Sequence, residues 1–256
     1  MQITSFIGFL AGVAVVGFGL ALSHAASAFL SLHGIVIVLG GTLAAVIFHS
    51  EGRHLWGAIK GIGKAFVGNP HQRPGELIPA LSALAEKAKL TSPAAALQTA
   101  DLSLADGYME TAVRIAQQNL QEPETVRALL LRNVHAVRQE DNEIVNVFRV
   151  ASIMSPMFGL IGTLIGIIEV LRNITSPESV GVAMGTAITS AFYGITFANL
   201  VCVPLAGKLR GLMLREVESK SIIAEGIADI VKGEMPLVVE QRLWTLVDRG
   251  VPPAAR

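Results

Sequence analysis

The 256-residue sequence predicts an all-α polytopic membrane protein with four transmembrane helices and a helical cytoplasmic domain. Three observations lead there. Four stretches, Ile3–Leu22, Leu30–Phe48, Val150–Leu171 and Met184–Ala206, are apolar over the roughly 20 residues a helix needs to cross a hydrocarbon core. Basic residues collect on one side of those stretches. In the segment between the second and third, apolar positions recur three and four apart, the period of a helix. Composition agrees, with 52% hydrophobic and only 16% charged residues. Twenty basic residues against 20 acidic ones leave no footprint for nucleic acid.

The first stretch begins at Met1-Gln2 without a basic residue ahead of it, and its apolar run exceeds the roughly 7–15 residues of a signal peptide's core. It reads as a retained helix, although His24–Ala28 imitates a cleavage site. A polar turn at Ser23–Ser27 would hairpin it onto the second stretch. Lys and Arg accumulate on the cytoplasmic side of membrane proteins. The segment from His49 to Arg149 holds eleven of them, the tail after the fourth stretch eight, the loop at Arg172–Val182 one, and the first turn none. Both termini and the middle segment are therefore expected in the cytoplasm, around a multi-pass membrane span. The divisions that follow are 1–48 (helices one and two), 49–149 (cytoplasmic helices), 150–206 (helices three and four) and 207–256 (a C-terminal helical segment).

Within the cytoplasmic part, Leu77, Leu81 and Leu84, then Met109, Val113, Ala116 and Leu120, then Val126, Leu129, Leu130 and Val134 mark one face of successive helices. Breaks are expected at Asn69-Pro70, Pro74-Gly75, Ser92-Pro93, Asp106-Gly107 and Glu122-Pro123. Val126–Val150 contains neither Gly nor Pro and should run as one rod into helix three. Lys208–Lys232 has the same character after helix four.

No catalytic constellation is visible. The six histidines, among them His49 and His54 at the inner end of helix two, are scattered with no metal-binding spacing, and the single cysteine, Cys202, excludes a disulfide framework. No metal or cofactor is expected. Chemistry concentrates instead in helices three and four. Gly159, Gly162 and Gly166 clear space around Thr163; Thr189, Ser190 and Tyr193 lie on the other helix. Small residues allow close approach of helices in lipid, and hydroxyls give polar handles there. Yet no carboxylate lies between Pro156 and Gly166 or between Ala183 and Pro204. Glu169 sits near the outer end of helix three, where snorkelling to the surface and a role in ion entry are both open. This is half of an ion pathway, with the acid to come from another protein.

Pro156-Met-Phe-Gly-Leu-Ile-Gly-Thr163-Leu-Ile-Gly166 resembles the third transmembrane helix of the MotA/PomA family, the membrane stators of bacterial flagellar motors. Ala183–Gly194 with Asn199 and Pro204 resembles the family's fourth helix, Val38–Ala45 its second, and Ile223–Pro236 its C-terminal segment. Four helices rather than three set the chain apart from the relatives ExbB and TolQ.

The resemblance implies a ring: a homopentamer around a dimer of a MotB-like single-helix, peptidoglycan-binding partner that supplies the ion-binding aspartate. Ion flow between them would turn the ring, and the cytoplasmic helices would drive a FliG-like rotor protein. By position, Pro156 and Pro204 match the two prolines that couple ion passage to bending. In the rotor-facing stretch the family's Arg is matched by Lys87 or Lys89, while Gln98 stands where a Glu is usual, so Glu86, Asp101 or Arg114 are alternative contacts. Sodium-driven members carry a Thr at the position of Ala191. Sodium needs several oxygen ligands, so Ala191 tilts the ion towards H+, with Na+ the alternative. Gln98 keeps open an ion-driven rotary unit that powers gliding or another envelope machine. A non-conducting scaffold or solute transporter is the remaining reading, but no internal repeat supports a transporter.

Overall fold

The computed structural model describes residues 2–22, 29, 31–67, 74–175 and 177–247, and every described segment of regular structure is helical. The elements are α1 (Gln2–Leu22), α2 (Leu32–Ile35), α3 (Gly41–His49), α4 (Gly52–Val67), α5 (Pro74–Leu90), α6 (Pro93–Leu97), α7 (Tyr108–Gln118), α8 (Pro123–Arg172), α9 (Pro177–Thr196), α10 (Val203–Lys232) and α11 (Pro236–Trp244). A π-turn at Val36–Gly40 joins α2 to α3, and a second at Phe197–Cys202 joins α9 to α10. Three helical stretches, Leu32–His49, Pro123–Arg172 and Ser179–Lys232, are long and apolar enough to cross a membrane; Ile7–Leu22 is a shorter apolar helix. The turn expected at Ser23–Ser27 and the break at Asn69-Pro70 lie outside the described residues.

The chain divides into two compact units, one made of Met1–Gly68 with Asn142–Arg210, the other of Asn69–Asp141 with Gly211–Arg256. The 50-residue α8 and the 30-residue α10 each contribute to both.

The second unit has the core of a water-soluble helical domain. Leu77, Ile78, Leu81 and Leu84 of α5, Met109, Ala112 and Val113 of α7, Val126 and Leu130 of α8, Ile222, Ile223 and Ile227 of α10, and Val239 and Leu243 of α11 are buried together. Their three-and-four spacing puts one apolar stripe of each helix inward. Most of the expected breaks hold for local reasons. Ser92 caps α6, its hydroxyl accepting from the Ala95 amide at 3.2 Å, and Pro93 opens the helix. Ala105, Asp106 and Gly107 all take positive φ ahead of α7. Pro123 starts α8. Arg127 pairs with Glu225 at 3.0 Å, and Arg242 reaches the buried Asp229 at 2.6 Å. Burial pushes the Asp229 carboxyl up, against the opposing pull of Arg242.

The first unit is built differently. Its interior is small: Val46, Ala58, Val147, Val150, Ala151 and Cys202 form an apolar cluster of six buried residues, while Leu43, Ile47, Met157, Leu160, Leu164 and Ile168 all point outward. An apolar exterior of this kind is the surface that lipid covers.

Candidate functional site

Within the first unit α8 and α9 run against each other along two matched stripes. On α8 these are Ser155, Gly159, Gly162 and Gly166; on α9, Gly194, Ser190, Ala187 and Ala183. Each stripe repeats at the spacing that stacks residues on one helix face, and every member is buried. The register is antiparallel. A Cβ on Gly166 would lie 2.7 Å from the Ala187 methyl and 2.8 Å from the Ala183 carbonyl oxygen. One on Gly159 would meet the Ser190 carbonyl oxygen at 3.0 Å, and one on Gly194 the Ser155 carbonyl oxygen at 2.6 Å. The backbones therefore touch, and the Ser155 hydroxyl donates across the seam to the Gly194 carbonyl at 3.0 Å. In hydrocarbon, where apolar burial gives little, such close packing and interhelical hydrogen bonding hold helices together.

The α2 segment closes over this seam. A Cβ at Gly34 would sit 2.9 Å from the Ser190 hydroxyl and 3.4 Å from the Tyr193 ring. The Tyr193 hydroxyl accepts from the Ser31 amide at 3.2 Å and donates to the Phe29 carbonyl, so it pins the chain just before α2. At the start of α3, Gly41 lies under the Phe158 ring. The intervening π-turn leaves Val38 as acceptor for the buried Thr42 hydroxyl at 2.6 Å.

The hydroxyls of the expected pathway fall in distinct settings. Thr163 is half-buried on α8 and donates to the Leu160 carbonyl at 2.6 Å. Thr189 is buried and shares its proton between the Gly185 and Thr186 carbonyls at 2.9 and 3.2 Å. Ser190 is fully buried between Gly34 and Gly162 and donates to Thr186 at 2.8 Å. Ala191 and Tyr193 are half-buried. Each of these donors spends its proton on a backbone carbonyl, which leaves hydroxyl lone pairs as the chemistry on offer. Thr163 directly follows Gly162, which touches Ser190, so the structure brings the Thr163 and Ser190 segments of the two helices together. Glu169 is exposed near the end of α8.

Of the two prolines, Pro156 lies at the Gly194 end of the seam, and Pro204 lies ten residues beyond Gly194 in sequence. Pro156 is inside α8, which continues through it, and its Cα would be 3.1 Å from a Cβ on Gly194. Pro204 is the second residue of α10, directly after the π-turn, where the Val203 amide bonds the Ala198 carbonyl five residues back. Proline cannot donate to the carbonyl four residues behind and its ring crowds it. The wider π-turn accommodates that defect, a feature the proline alone did not foretell.

Lys87, Lys89 and Gln98 belong to the second unit and are exposed at the end of α5 and just after α6. Nearby in sequence, the Ser103 hydroxyl and amide donate to the Asp101 carboxylate at 2.7 and 3.0 Å and hold its pKa below the usual range. Sequence reasoning missed Gly34, Ser155 and both π-turns. Ser155 and Gly34 carry a faint signal in hindsight, since each extends a small-residue face, whereas the π-turns carry none.

An all-helical protein of membrane type, whose two most polar apolar helices meet through small residues and hydroxyls, is the class that this fold and this seam define. Residues 95–221 match the model of the MotA/TolQ/ExbB proton channel family. Chemotaxis protein PomA of Vibrio alginolyticus is 26% identical over 250 residues, covering 98% of this chain and 97% of that protein. Motility protein A of Treponema phagedenis is 29% identical over 244 residues, covering 95% and 93%. A chain of the flagellar MotAB stator complex from Bacillus subtilis has the same fold, with a TM-score of 0.83 at 23% identity over 98% of this chain and 96% of that one. Family model, relatives and fold agree in likening the chain to the MotA/TolQ/ExbB proton channel family.

Proposed function

We propose that the chain is the ion-conducting stator subunit of a bacterial flagellar motor, which couples ion flow at its interface with a single-helix partner to rotation and torque on a rotor. The observation that carries this reading is the α8–α9 seam: hydroxyls at Thr163, Thr189 and Ser190, glycine-tight packing, and no carboxylate between Pro156 and Gly166 or Ala183 and Pro204. An ion crossing hydrocarbon needs a charged or strongly polar partner. The missing acid is supplied by a MotB-like, peptidoglycan-binding subunit. The relatives named above support that assignment.

In this reading four helices span the inner membrane, both termini lie in the cytoplasm, and five copies ring a partner dimer. Thr163, on the less enclosed part of the seam, faces the partner's carboxylate through its oxygen lone pairs or an intervening water. Thr189, Ser190, Ala191 and Tyr193 line or brace the same path. The ion is H+, because Ala191 removes one oxygen that a desolvated Na+ would use. Pro156 and Pro204 are the places where the two helices yield as the ion passes, each lacking one backbone hydrogen bond. Lys87, Lys89 and Gln98 face a FliG-like rotor, with Asp101 as the adjacent negative charge.

The test is swimming of cells that depend on this chain, measured as sodium is raised from near zero and, in parallel, with a proton uncoupler. Speed that ignores sodium and collapses with the uncoupler is the expected result. Speed that tracks sodium would make Thr163 and the α9 hydroxyls cation ligands. A deletion strain that swims normally would contradict the flagellar reading; the exposed Gln98, uncharged where the family carries an acid, then favours a rotary unit for gliding or another envelope machine.

A further inference from the structure

Helix α4 (Gly52–Val67) carries three separate stripes. His54, Ala58, Gly61 and Ala65 recur at four, three and four residues and are buried in the first unit; Gly61 approaches Leu209, and Gly57 approaches Ile144. His54 is thus turned inward and only 7% exposed. The second stripe, Trp56, Ile59, Ile62 and Phe66, is exposed and apolar, with Trp56 and Ile59 near 60%. The third is exposed and basic: Arg53, Lys60 and Lys64. At about 100° per residue the centres of the three stripes lie roughly 110–125° apart, so none interrupts another. Gly52–Val67 contains no acidic residue. Arg53 is answered by Glu51 at 2.7 Å, but Lys60 and Lys64 meet no carboxylate among the described residues.

Both ends of α4 are tied to apolar helices of the same unit. Only two residues separate it from the end of α3, whose Phe48 is 95% exposed and whose Ile47 also faces outward. Near its other end the Phe66 ring packs edge-on against Phe9 of α1, centroids 6.4 Å apart. A helix held at one end by α3 and at the other by α1 lies along the apolar surface of this unit rather than leading away from it. Lys60 Nζ sits 5.6 Å over the Trp56 ring, which joins a cation to an aromatic ring, the pairing that favours the boundary between headgroups and acyl chains.

We propose that α4 is an interfacial helix that binds anionic phospholipid headgroups through Lys60 and Lys64, while Trp56, Ile59 and Ile62 enter the acyl boundary. The occupant is a lipid leaflet rather than a second copy of the chain, because two unpaired lysines beside an apolar stripe call for a surface that is negative and oily at once. A second copy would bring the same lysines. The site fixes the level of the first unit in the bilayer and ties the protein to membranes rich in acidic lipid. This inference rests on the membrane reading but not on the motor.

The test uses the full-length chain carrying Trp244→Phe, which leaves Trp56 as the single tryptophan of the two. It is reconstituted in phosphatidylcholine vesicles with and without phosphatidylglycerol. Trp56 should be quenched by bromine on the acyl chains and shielded from aqueous iodide. Phosphatidylglycerol should remain with the detergent-extracted protein in preference to phosphatidylcholine. Each basic side chain near an anionic surface is worth roughly fivefold in association. Lys60→Gln with Lys64→Gln should therefore lower that preference about 25-fold, and Lys60→Arg with Lys64→Arg should restore it. Quenching by iodide alone would put the stripe in water. Quenching by neither agent would mean that another protein surface covers it. Unchanged lipid preference in the glutamine variant would remove the lysines from the site. Any of these overturns the proposal. Extraction of the whole chain by alkaline carbonate would instead sink the membrane reading, and this inference with it.

Discussion

The two compact units hold their helices together by opposite means. In the second, large aliphatic side chains such as Leu81, Leu130, Ile223 and Ile227 fill a continuous core. In the first, the α8–α9 seam is made of Ser155, Gly159, Gly162 and Gly166 against Ala183, Ala187, Ser190 and Gly194, and the large side chains face outward. Water rewards the burial of large apolar groups. Lipid does not distinguish a buried leucine from an exposed one, so in the first unit van der Waals fit and hydrogen bonding take over. The contrast also serves function. A seam of small residues brings hydroxyls and backbone carbonyls within reach of one another, where a leucine core would seal them off.

The largest effect should come from cutting a hole in the second unit. Ile227 is fully buried, and Ile227→Ala should cost about 2–5 kcal/mol through lost burial and the cavity left behind. Thermal unfolding reads this; a loss under about 1 kcal/mol would mean that this core is loosely packed. Addition should be the damaging change in the seam. Gly166→Ala places a methyl against the Ala183 carbonyl and the Ala187 amide, backbone groups that cannot swing away, and should cost about 1–3 kcal/mol. Gly185→Ala, where a Cβ meets nothing within 4 Å, should be neutral or stabilising by about 0.5–1 kcal/mol. Equal effects at the two glycines would refute the seam.

Alkaline pH sharpens the contrast from the other side. Burial in the second unit pushes the Tyr108 phenol up to about 12. The folded state therefore holds that proton more tightly than the unfolded state, whose phenol titrates near 10. The stability it contributes is complete below about pH 10 and is lost as pH rises through about 12, roughly 2 kcal/mol in all. Unfolding followed across that range should show the loss, and Tyr108→Phe should flatten it. The smallest effect concerns Asp229, whose pKa is raised by burial despite Arg242. A raised acid favours the folded state at low pH and loses that advantage as pH climbs through its folded pKa. Asp229→Asn should therefore leave stability at neutral pH within about 1 kcal/mol of the parent. A loss of several kcal/mol would show that the ion pair outweighs the burial.

Local signals made much of this legible in the sequence. Ser92-Pro93, Asp106-Gly107 and Glu122-Pro123 break helices through cap and backbone chemistry that depends on neighbours in the chain. The uninterrupted run from Val126 to Val150 is likewise one helix. Gly159, Gly162 and Gly166 declared close packing, because their spacing puts them on one face. What stayed hidden depends on residues far apart in sequence. Tyr193 holds the chain before α2 from 162 residues away. The π-turns at Val36–Gly40 and Phe197–Cys202 answer to packing and to Pro204 rather than to any propensity of their own. Helix α4 was overlooked because its inward face is made of His54, Ala58, Gly61 and Ala65, which lack the large apolar residues that make a buried stripe visible.

The central claim is that this chain offers the hydroxyl half of a path whose acid belongs to another subunit. Proton flux into sealed vesicles tests it most directly, with this chain alone, with its single-helix partner, and with a partner whose membrane aspartate is replaced by asparagine. Flux is predicted only with the intact partner, and Thr163→Val should lower it. Flux through the chain alone would contradict the account, because a carboxylate-free seam would then conduct unaided.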